Sequence, residues 1–297
     1  MWGQTSRSAR ALQDPLLAQQ AGVEAGRRTG VLPHWTAQSS IDRFLAVARQ
    51  KLGQHFLIRG AVLERIARAA CPDREPLVVE IGPGRGALTT HLLARADRVI
   101  AVEIDRYLAQ RLAQTHAEDR RLEVVEANAL QIDLGQWGPA VITGNLPYYA
   151  ATAILDRVMG LGPIVRRGVF LAQKEVAERI TASPGSRDYG YLSVSMQLSA
   201  DIELLFEVKP AAFHPPPKVD SAVLRFESHD RAAELGIADR PDFLRFVALC
   251  FRQKRKTLRN NLAAQYGAAV DSWPEAALRA EQIGIPAFAA MYRRLVT

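Results

Sequence analysis

The sequence predicts an α/β chain, a doubly wound parallel sheet with a small helical domain behind it. Three observations carry this. Short apolar, β-branched runs alternate with segments of helical spacing from residue 60 to about residue 182, the pattern of a sheet covered by helices on both faces. A glycine-rich turn, GPGRG at 82–86, follows the first of those runs, where a strand hands over to a helix. From about Arg240 the strand pattern stops, and the rest reads as helix.

The elements follow in order. Residues 60–70 (GAVLERIARAA) place Val62, Leu63, Ile66 and Ala70 on one helical face. LVVEI (77–81), bounded by Pro76 and Gly82, reads as a buried strand. GRGALTTHLLARA is the helix after it. VIAVEI (99–104) is a second strand and DRYLAQRLAQTH a second helix. LEVVEA (122–127) is a third strand, and AVITGN (140–145) a fourth with a helix at 150–159. GVFLAQ (168–173) is a fifth and runs into KEVAERITA. After about Tyr191 the pattern changes. IELLFEV (202–208) and AVLRFE (222–227) flank the Pro-rich FHPPPK and are expected as extra strands on an antiparallel edge. PDFLRFVALCFRQ, KTLRNNLAAQY, PEAALRAEQI and PAFAAMYRRL are expected as four helical segments. The expected division is 1–40 as a disordered extension rich in Ala, Gln, Ser, Gly and Arg, 41–235 as the α/β domain, and 236–297 as the helical domain.

With 297 residues, 48% of them hydrophobic, the chain can bury a large core, and 23% charge excludes a disordered polyelectrolyte. A net charge of +7 points to a polyanionic partner, nucleic acid first. The two cysteines, Cys71 and Cys250, form no CxxC pair, and no Cys/His spacing suggests a metal, so none is expected. A reduced, cytoplasmic setting and a monomer are expected. No run is long and apolar enough to span a membrane, and residues 1–40 lack the apolar stretch of a signal peptide.

The first strand-to-helix turn is the natural ligand site. Gly82, Gly84 and Gly86 let the backbone turn tightly and let a ligand approach. Their GxGxG spacing is not the dinucleotide GxGxxG. Glu103 ends the second strand about 20 residues on, where a ribose-binding acid belongs. Asn128, just past the third strand, is placed for an adenine edge, though by itself it fits a turn or a helix cap equally. All three fall at carboxyl ends of adjacent strands, so an adenosine-bearing cofactor is expected. No Walker lysine follows the glycines, which disfavours a nucleoside triphosphate. S-adenosylmethionine has an adenine and a ribose but no phosphate.

GNLPYY (144–149) closes the fourth strand on the same crevice. An exocyclic amine on a nucleobase is a poor nucleophile because its lone pair is delocalised. Two carbonyl acceptors, Asn145 Oδ1 and the Leu146 carbonyl, would favour the pyramidal nitrogen of the transition state. Pro147 stiffens the turn, and Tyr148 offers a ring for a flipped base. In isolation these residues could be a polar turn with two core tyrosines; after EIGPGRG, Glu103 and Asn128, the chemical reading is preferred. RQKRKTLR (252–259) carries Arg252, Lys254, Arg255, Lys256 and Arg259. With Phe251 and Leu258 at helical spacing it is expected as an anchored helix face that meets RNA phosphates.

At this point the chain resembles the KsgA-type small-subunit ribosomal RNA adenine N6,N6-dimethyltransferases, relatives of the erythromycin-resistance methylases. The motifs are QKLGQHFL (50–57), EIGPGRGALT, VEID (102–105), NLPYY (145–149), QKEVAERI (173–180), YGYLSV (189–194), FHPPPKVDSAV (213–223) and FRQKRKTLRNNL (251–262). Together they cover roughly Arg49 to the end. The resemblance implies a Rossmann-like class I S-adenosylmethionine-dependent methyltransferase domain with a small C-terminal helical domain. It implies dimethylation of adenine N6, on two adjacent adenines near the 3′ end of 16S rRNA within a small-subunit assembly intermediate. It places His55 and Leu57 in a segment closing over the cofactor, and Gly82, Glu103, Asn128 and Asn145 on S-adenosylmethionine. Asn145, Leu146 and Tyr148 match the target-amine site, and Phe213 an aromatic that sandwiches the flipped adenine against Tyr148. Two departures stand out. Ala127-Asn128 replaces the family's usual Gly-Asp, so cofactor affinity is expected to be weaker. Residue 149 is Tyr where many members have Asn. The competing readings are a non-catalytic assembly or transcription factor on the same scaffold and a large-subunit rRNA methylase; intact NLPY with Glu103 argues against the first, and FRQKRKTLRNNL against the second.

Overall fold

A computed structural model describes residues 54–296. The expectations for residues 1–40, for the onset of order near Ile41 and for the start of the QKLGQHFL motif lie outside the described residues. The elements are β1 (Phe56–Leu57), α1 (Gly60–Ala70), β2 (Val78–Ile81), α2 (Ala87–Leu93), β3 (Val99–Glu103), α3 (Arg106–Thr115), β4 (Leu122–Glu126), β5 (Ala140–Asn145), α4 (Ala151–Met159) and β6 (Val165–Gln173). They continue as α5 (Lys174–Thr181), α6 (Tyr191–Gln197), β7 (Ala200–Val208), β8 (Phe213–His214), β9 (Ser221–Ser228), α7 (Arg231–Glu234), α8 (Arg240–Cys250), α9 (Leu258–Tyr266) and α10 (Ile285–Val296).

A seven-stranded sheet runs β4-β3-β2-β5-β6-β9-β7. Strands β2 to β6 pair in parallel, and β9 runs antiparallel to both β6 and β7. The expected antiparallel pair is therefore present, but it is interleaved: β9 returns between β6 and β7 instead of following β7 outward.

The strands form where the sequence is apolar and β-branched because both sheet faces are covered. Alternate side chains go to opposite faces. Val79, Ile81, Ile100 and Ile142 enter one core with Ile154, Leu155 and Val158 of α4. Val78, Val99 and Val141 enter the other with Leu63 and Ile66 of α1 and Leu88 and Leu92 of α2. Helix α3 begins where Asp105 accepts hydrogen bonds from the Tyr107 and Leu108 amides, an N-cap that satisfies two of the helix's open donors. At Gly144 a Cβ would collide with the Ile81 carbonyl, so β2 and β5 draw close only because that residue has no side chain.

A third core gathers Phe243, Phe246 and Val247 of α8, Leu258 and Leu262 of α9, and Phe288 and Met291 of α10. Tyr189, Val194 and Leu198 from the chain ahead of β7 pack into it as well.

Two local expectations are corrected, and two features are additions. PEAALRAEQI is not an α-helix but two 3-10 turns, Pro274–Ala277 and Ala280–Gln282. Its middle is extended because the Leu278 carbonyl accepts the Leu258 amide at 2.8 Å and Thr257 bridges Arg279. The basic run 252–256 is a turn between α8 and α9, not a helix face. The cause is Asn261, 2% exposed. Its Nδ2 donates to the carbonyls of Cys250 (2.8 Å) and Gln253 (3.2 Å), and its Oδ1 accepts the Gln253 amide at 3.1 Å. Finally, α6 and the two-residue pairing of β1 with β8 have no counterpart in the expected elements.

Candidate active site

The carboxyl ends of β2, β3 and β5 open onto one cavity of about 520 Å³, within the range of small-molecule and cofactor sites. Its walls come from five stretches: 54–58 around β1, the glycine turn after β2, Glu103 and Ile104, residues 127–130, and 145–150.

The floor is the glycine turn. Gly82 and Gly84 have φ of +67° and +58°, a left-handed backbone that disfavours any side chain. A Cβ on Gly84 would stand 3.0 Å from the Phe56 ring, so Phe56 rests directly on the turn. Glu103, 3% exposed, ties the turn to β3. Its Oε2 accepts the Gly84 amide at 3.0 Å and its Oε1 the Asp105 amide at 2.9 Å. Each oxygen keeps a further lone pair for a ligand hydroxyl. Burial raises the Glu103 pKa, and the two amides oppose the rise.

Asn128 also lies in the wall, and its Oδ1 accepts the Leu130 amide at 2.9 Å. That bond orients the side-chain amide and leaves a ligand its Nδ2 donor and the second lone pair of Oδ1.

Asn145 ends β5 in the cavity wall, and its Nδ2 donates to the His55 carbonyl at 2.9 Å. That bond fixes the amide and leaves Oδ1 as its available acceptor. Leu146 and Tyr148 line the same wall. The Tyr148 hydroxyl lies 2.6 Å from Ser221 Oγ, and its ring centroid 5.6 Å from that of His55. Burial raises the Tyr148 pKa, with the Ser221 hydrogen bond opposing. His55 Nδ1 sits 2.9 Å from the Pro215 carbonyl; that oxygen can only accept, so the proton is on Nδ1.

His55, Leu57, Gly82, Glu103, Asn128, Asn145, Leu146 and Tyr148 are thus brought to one cavity. Phe213 is not. It is 3% exposed, pairs with Leu57 across the β1–β8 bridge, and packs among Leu63, Val169 and Val223. The aromatic facing Tyr148 in this structure is His55. The basic residues are exposed on the α8–α9 turn and the start of α9. Two of them have internal partners: Lys254 donates to the Arg187 carbonyl at 2.6 Å, and Arg259 pairs with Asp271 at 2.9 Å. Among the described residues the side chains of Arg252, Arg255 and Lys256 make no ion pair.

Four contributors escaped the sequence reading. Gln54 lines the cavity, and among the described residues its buried Oε1 has no partner. Phe56 backs the turn, and Ser221 tethers Tyr148. Glu80, 1% exposed, accepts the Thr89 hydroxyl at 2.6 Å. Burial, with the charge of Glu103 adding to it, pushes the Glu80 carboxyl up to about 8 against the Thr89 bond. An acid inside an otherwise apolar strand, two residues before Gly82, was the available signal for Glu80; the other three depend on contacts between distant segments.

This wall is rich in acceptors. Gln54, Glu80 and Glu103 are among the lining residues, and the one guanidinium there, Arg85, lies over the Phe56 ring at 4.6 Å. Ribose hydroxyls and an ammonium group suit such a wall. A triphosphate would find no lysine and a single arginine among the lining residues. The residues present therefore fit S-adenosylmethionine.

Sheet order, glycine turn and strand-end acid together define a Rossmann-like methyltransferase domain of class I. The family model described as ribosomal RNA adenine dimethylase matches residues 46–286, and the chain belongs to that family. It is 44% identical over 258 residues to the ribosomal RNA small subunit methyltransferase A of Acidobacterium capsulatum, covering 83% of this chain and 91% of that one. The protein of that name from Bordetella bronchiseptica is 45% identical over 246 residues, 81% of this chain and 91% of its own. Among solved structures, the 23S rRNA methyltransferase ErmE aligns with TM-score 0.60 and 28% identity over 82% of this chain and all of its own. A dimethyladenosine transferase from Plasmodium falciparum aligns with TM-score 0.69 over 81% of this chain and 98% of its own; at 23% identity it speaks for the fold alone.

Proposed function

We propose that this chain methylates the N6 amines of adenines in small-subunit 16S rRNA, two adjacent adenines near the 3′ end, each carried to the dimethyl state. The observation that carries the chemistry is the fixed amide of Asn145. With Nδ2 held by the His55 carbonyl, Oδ1 accepts an N–H of the target amine, and the Leu146 carbonyl accepts the other. Both favour the pyramidal nitrogen over the planar, conjugated one, and so act where the transition state differs from the ground state. Tyr148, its hydroxyl anchored on Ser221, gives the flipped base a face to stack on. No strong base is required, because the nitrogen becomes acidic once it has been methylated and then loses its proton.

Bound S-adenosylmethionine supplies an electrophilic methyl group. Glu103 would take its ribose hydroxyls, Gly82 and Asn128 would flank its adenosine, and His55 and Leu57 would close over it. In this reading residues 41–235 carry the chemistry, and 236–297 hold RNA through Arg252, Lys254, Arg255, Lys256 and Arg259. The chain works as a monomer in the cytoplasm, on a small-subunit assembly intermediate. The small-subunit relatives at 44–45% identity support that substrate over the large subunit. Among the described residues no helix is long and apolar enough to cross a membrane.

The test is incubation of the purified chain with isotopically labelled S-adenosylmethionine and undermethylated small subunits, followed by mapping of the modified bases. Label on adenine N6 in 16S rRNA is expected. Label confined to large-subunit RNA, or RNA binding without any transfer, would overturn the reading.

A further inference from the structure

We infer that Tyr149 is a stacking platform for the nucleobase next to the one that enters the cavity, and hence a positioning residue for the substrate RNA. The inference rests on the proposed function and goes beyond it.

Tyr148 and Tyr149 are consecutive, yet the fold treats them differently. Tyr148 is half-buried, tied to Ser221 and set against His55. Tyr149 is 67% exposed, and among the described residues it makes no hydrogen bond and no ring contact. It is nonetheless part of the cavity wall. A core role is excluded by its exposure.

A lid over the cofactor is the next alternative, and position argues against it. Besides Tyr149, the exposed apolar residues of the cavity wall are Ile58, next to Leu57, and Ile104 and Leu130, beside Glu103 and Asn128, so the cofactor end has apolar cover of its own. Tyr149 belongs to the same stretch of wall as the acceptors of the target amine, three residues after Leu146.

Extruding a base deprives its neighbour of a stacking partner. An exposed ring at the mouth replaces that partner, and does so with little regard to base identity, because every base has a π-face. The ligand class is thus an unpaired nucleobase of single-stranded RNA adjoining the target adenine.

The test compares the wild-type chain with Tyr149→Ala, Tyr149→Trp and Tyr149→Leu on undermethylated small subunits. Cofactor Kd is measured by calorimetry. A single-stranded RNA oligonucleotide with 2-aminopurine beside the target adenine reports stacking by its fluorescence. For Tyr149→Ala the KM for RNA should rise roughly 5- to 150-fold, the range of one base–aromatic stack. Cofactor Kd and kcat should stay put, and the 2-aminopurine quenching should be lost. Tyr149→Trp should restore both KM and quenching; Tyr149→Leu, which keeps apolar bulk without a ring, should restore neither. An unchanged KM in Tyr149→Ala, rescue by Tyr149→Leu, or a cofactor Kd that rises in step with KM would overturn the inference and leave the proposed function standing. A wild-type chain that fails to methylate the subunits would overturn both.

Discussion

Asn145→Ala removes two things at once: the acceptor for the target amine, and the link from β5 to the His55 carbonyl, 2.9 Å long. The two losses have different sizes and different readouts. A net hydrogen bond of this kind contributes about 0.5–1.5 kcal/mol to stability, so the folded state should survive with a small drop in Tm. Losing one pre-aimed partner of a developing transition state costs on the order of 10²–10³ in kcat. Single-turnover methyl transfer at saturating cofactor should therefore fall by that factor, while RNA Kd, read by filter binding, stays nearly constant. Asn145→Asp sharpens the test. It keeps the size and adds an acceptor, so simple acceptor counting predicts activity. The structure predicts loss, because an oxygen in place of Nδ2 would face the His55 carbonyl and turn the group away. A fall of less than about tenfold in Asn145→Ala, small against a typical transition-state contact, would refute the reasoning, as would a fully active Asn145→Asp.

The other predictions follow from separate parts of the molecule. Asn261→Leu strands two carbonyls and one amide of the α8–α9 turn; it should cost about 2–4 kcal/mol in denaturant unfolding and weaken RNA binding, and an unchanged midpoint would count against the staple. Burial pushes the Glu80 carboxyl from its ordinary 4.5 up to about 8, so between those pH values the folded state holds the extra proton and stability falls as pH rises, by up to about 1.4 kcal/mol per pH unit. Glu80→Gln should therefore gain more in Tm at pH 8 than at pH 5, and equal gains would show that the acid is not held neutral. Replacing Arg252 and Lys256 with Gln should flatten the slope of log K for RNA against log salt by roughly 1.4–1.8; an unaltered slope would assign those charges to solubility.

The parts of the fold legible in the sequence were those that local pattern dictates. β2, β3 and β5 are buried on both faces, so their apolar runs stand out, and Gly82 and Gly84 sit where the backbone turns left-handed. Glu103 and Asn145 were found by their place at strand ends. The pattern failed where a distant residue decides. Phe251 and Leu258 have helical spacing, but Asn261 captures the backbone of Cys250 and Gln253 and breaks the helix between them. Leu278 looks helical by composition, yet its carbonyl is taken by Leu258. Phe213 carries a family motif, and only its pairing with Leu57 shows which way it packs. The orphaned oxygen of Gln54 has no signature at all, since burial without a partner is a property of the assembled wall.

The short β1 strand has a consequence for how the enzyme would fail. Asn145 is aimed by a carbonyl 90 positions away in sequence, and β1 is secured to β8 by two residue pairs, far fewer than any strand of the main sheet. Regions with so few anchors open before the whole molecule does. Warming should therefore release the amide while the sheet is still intact, and turnover should cease well below the temperature at which circular dichroism reports melting.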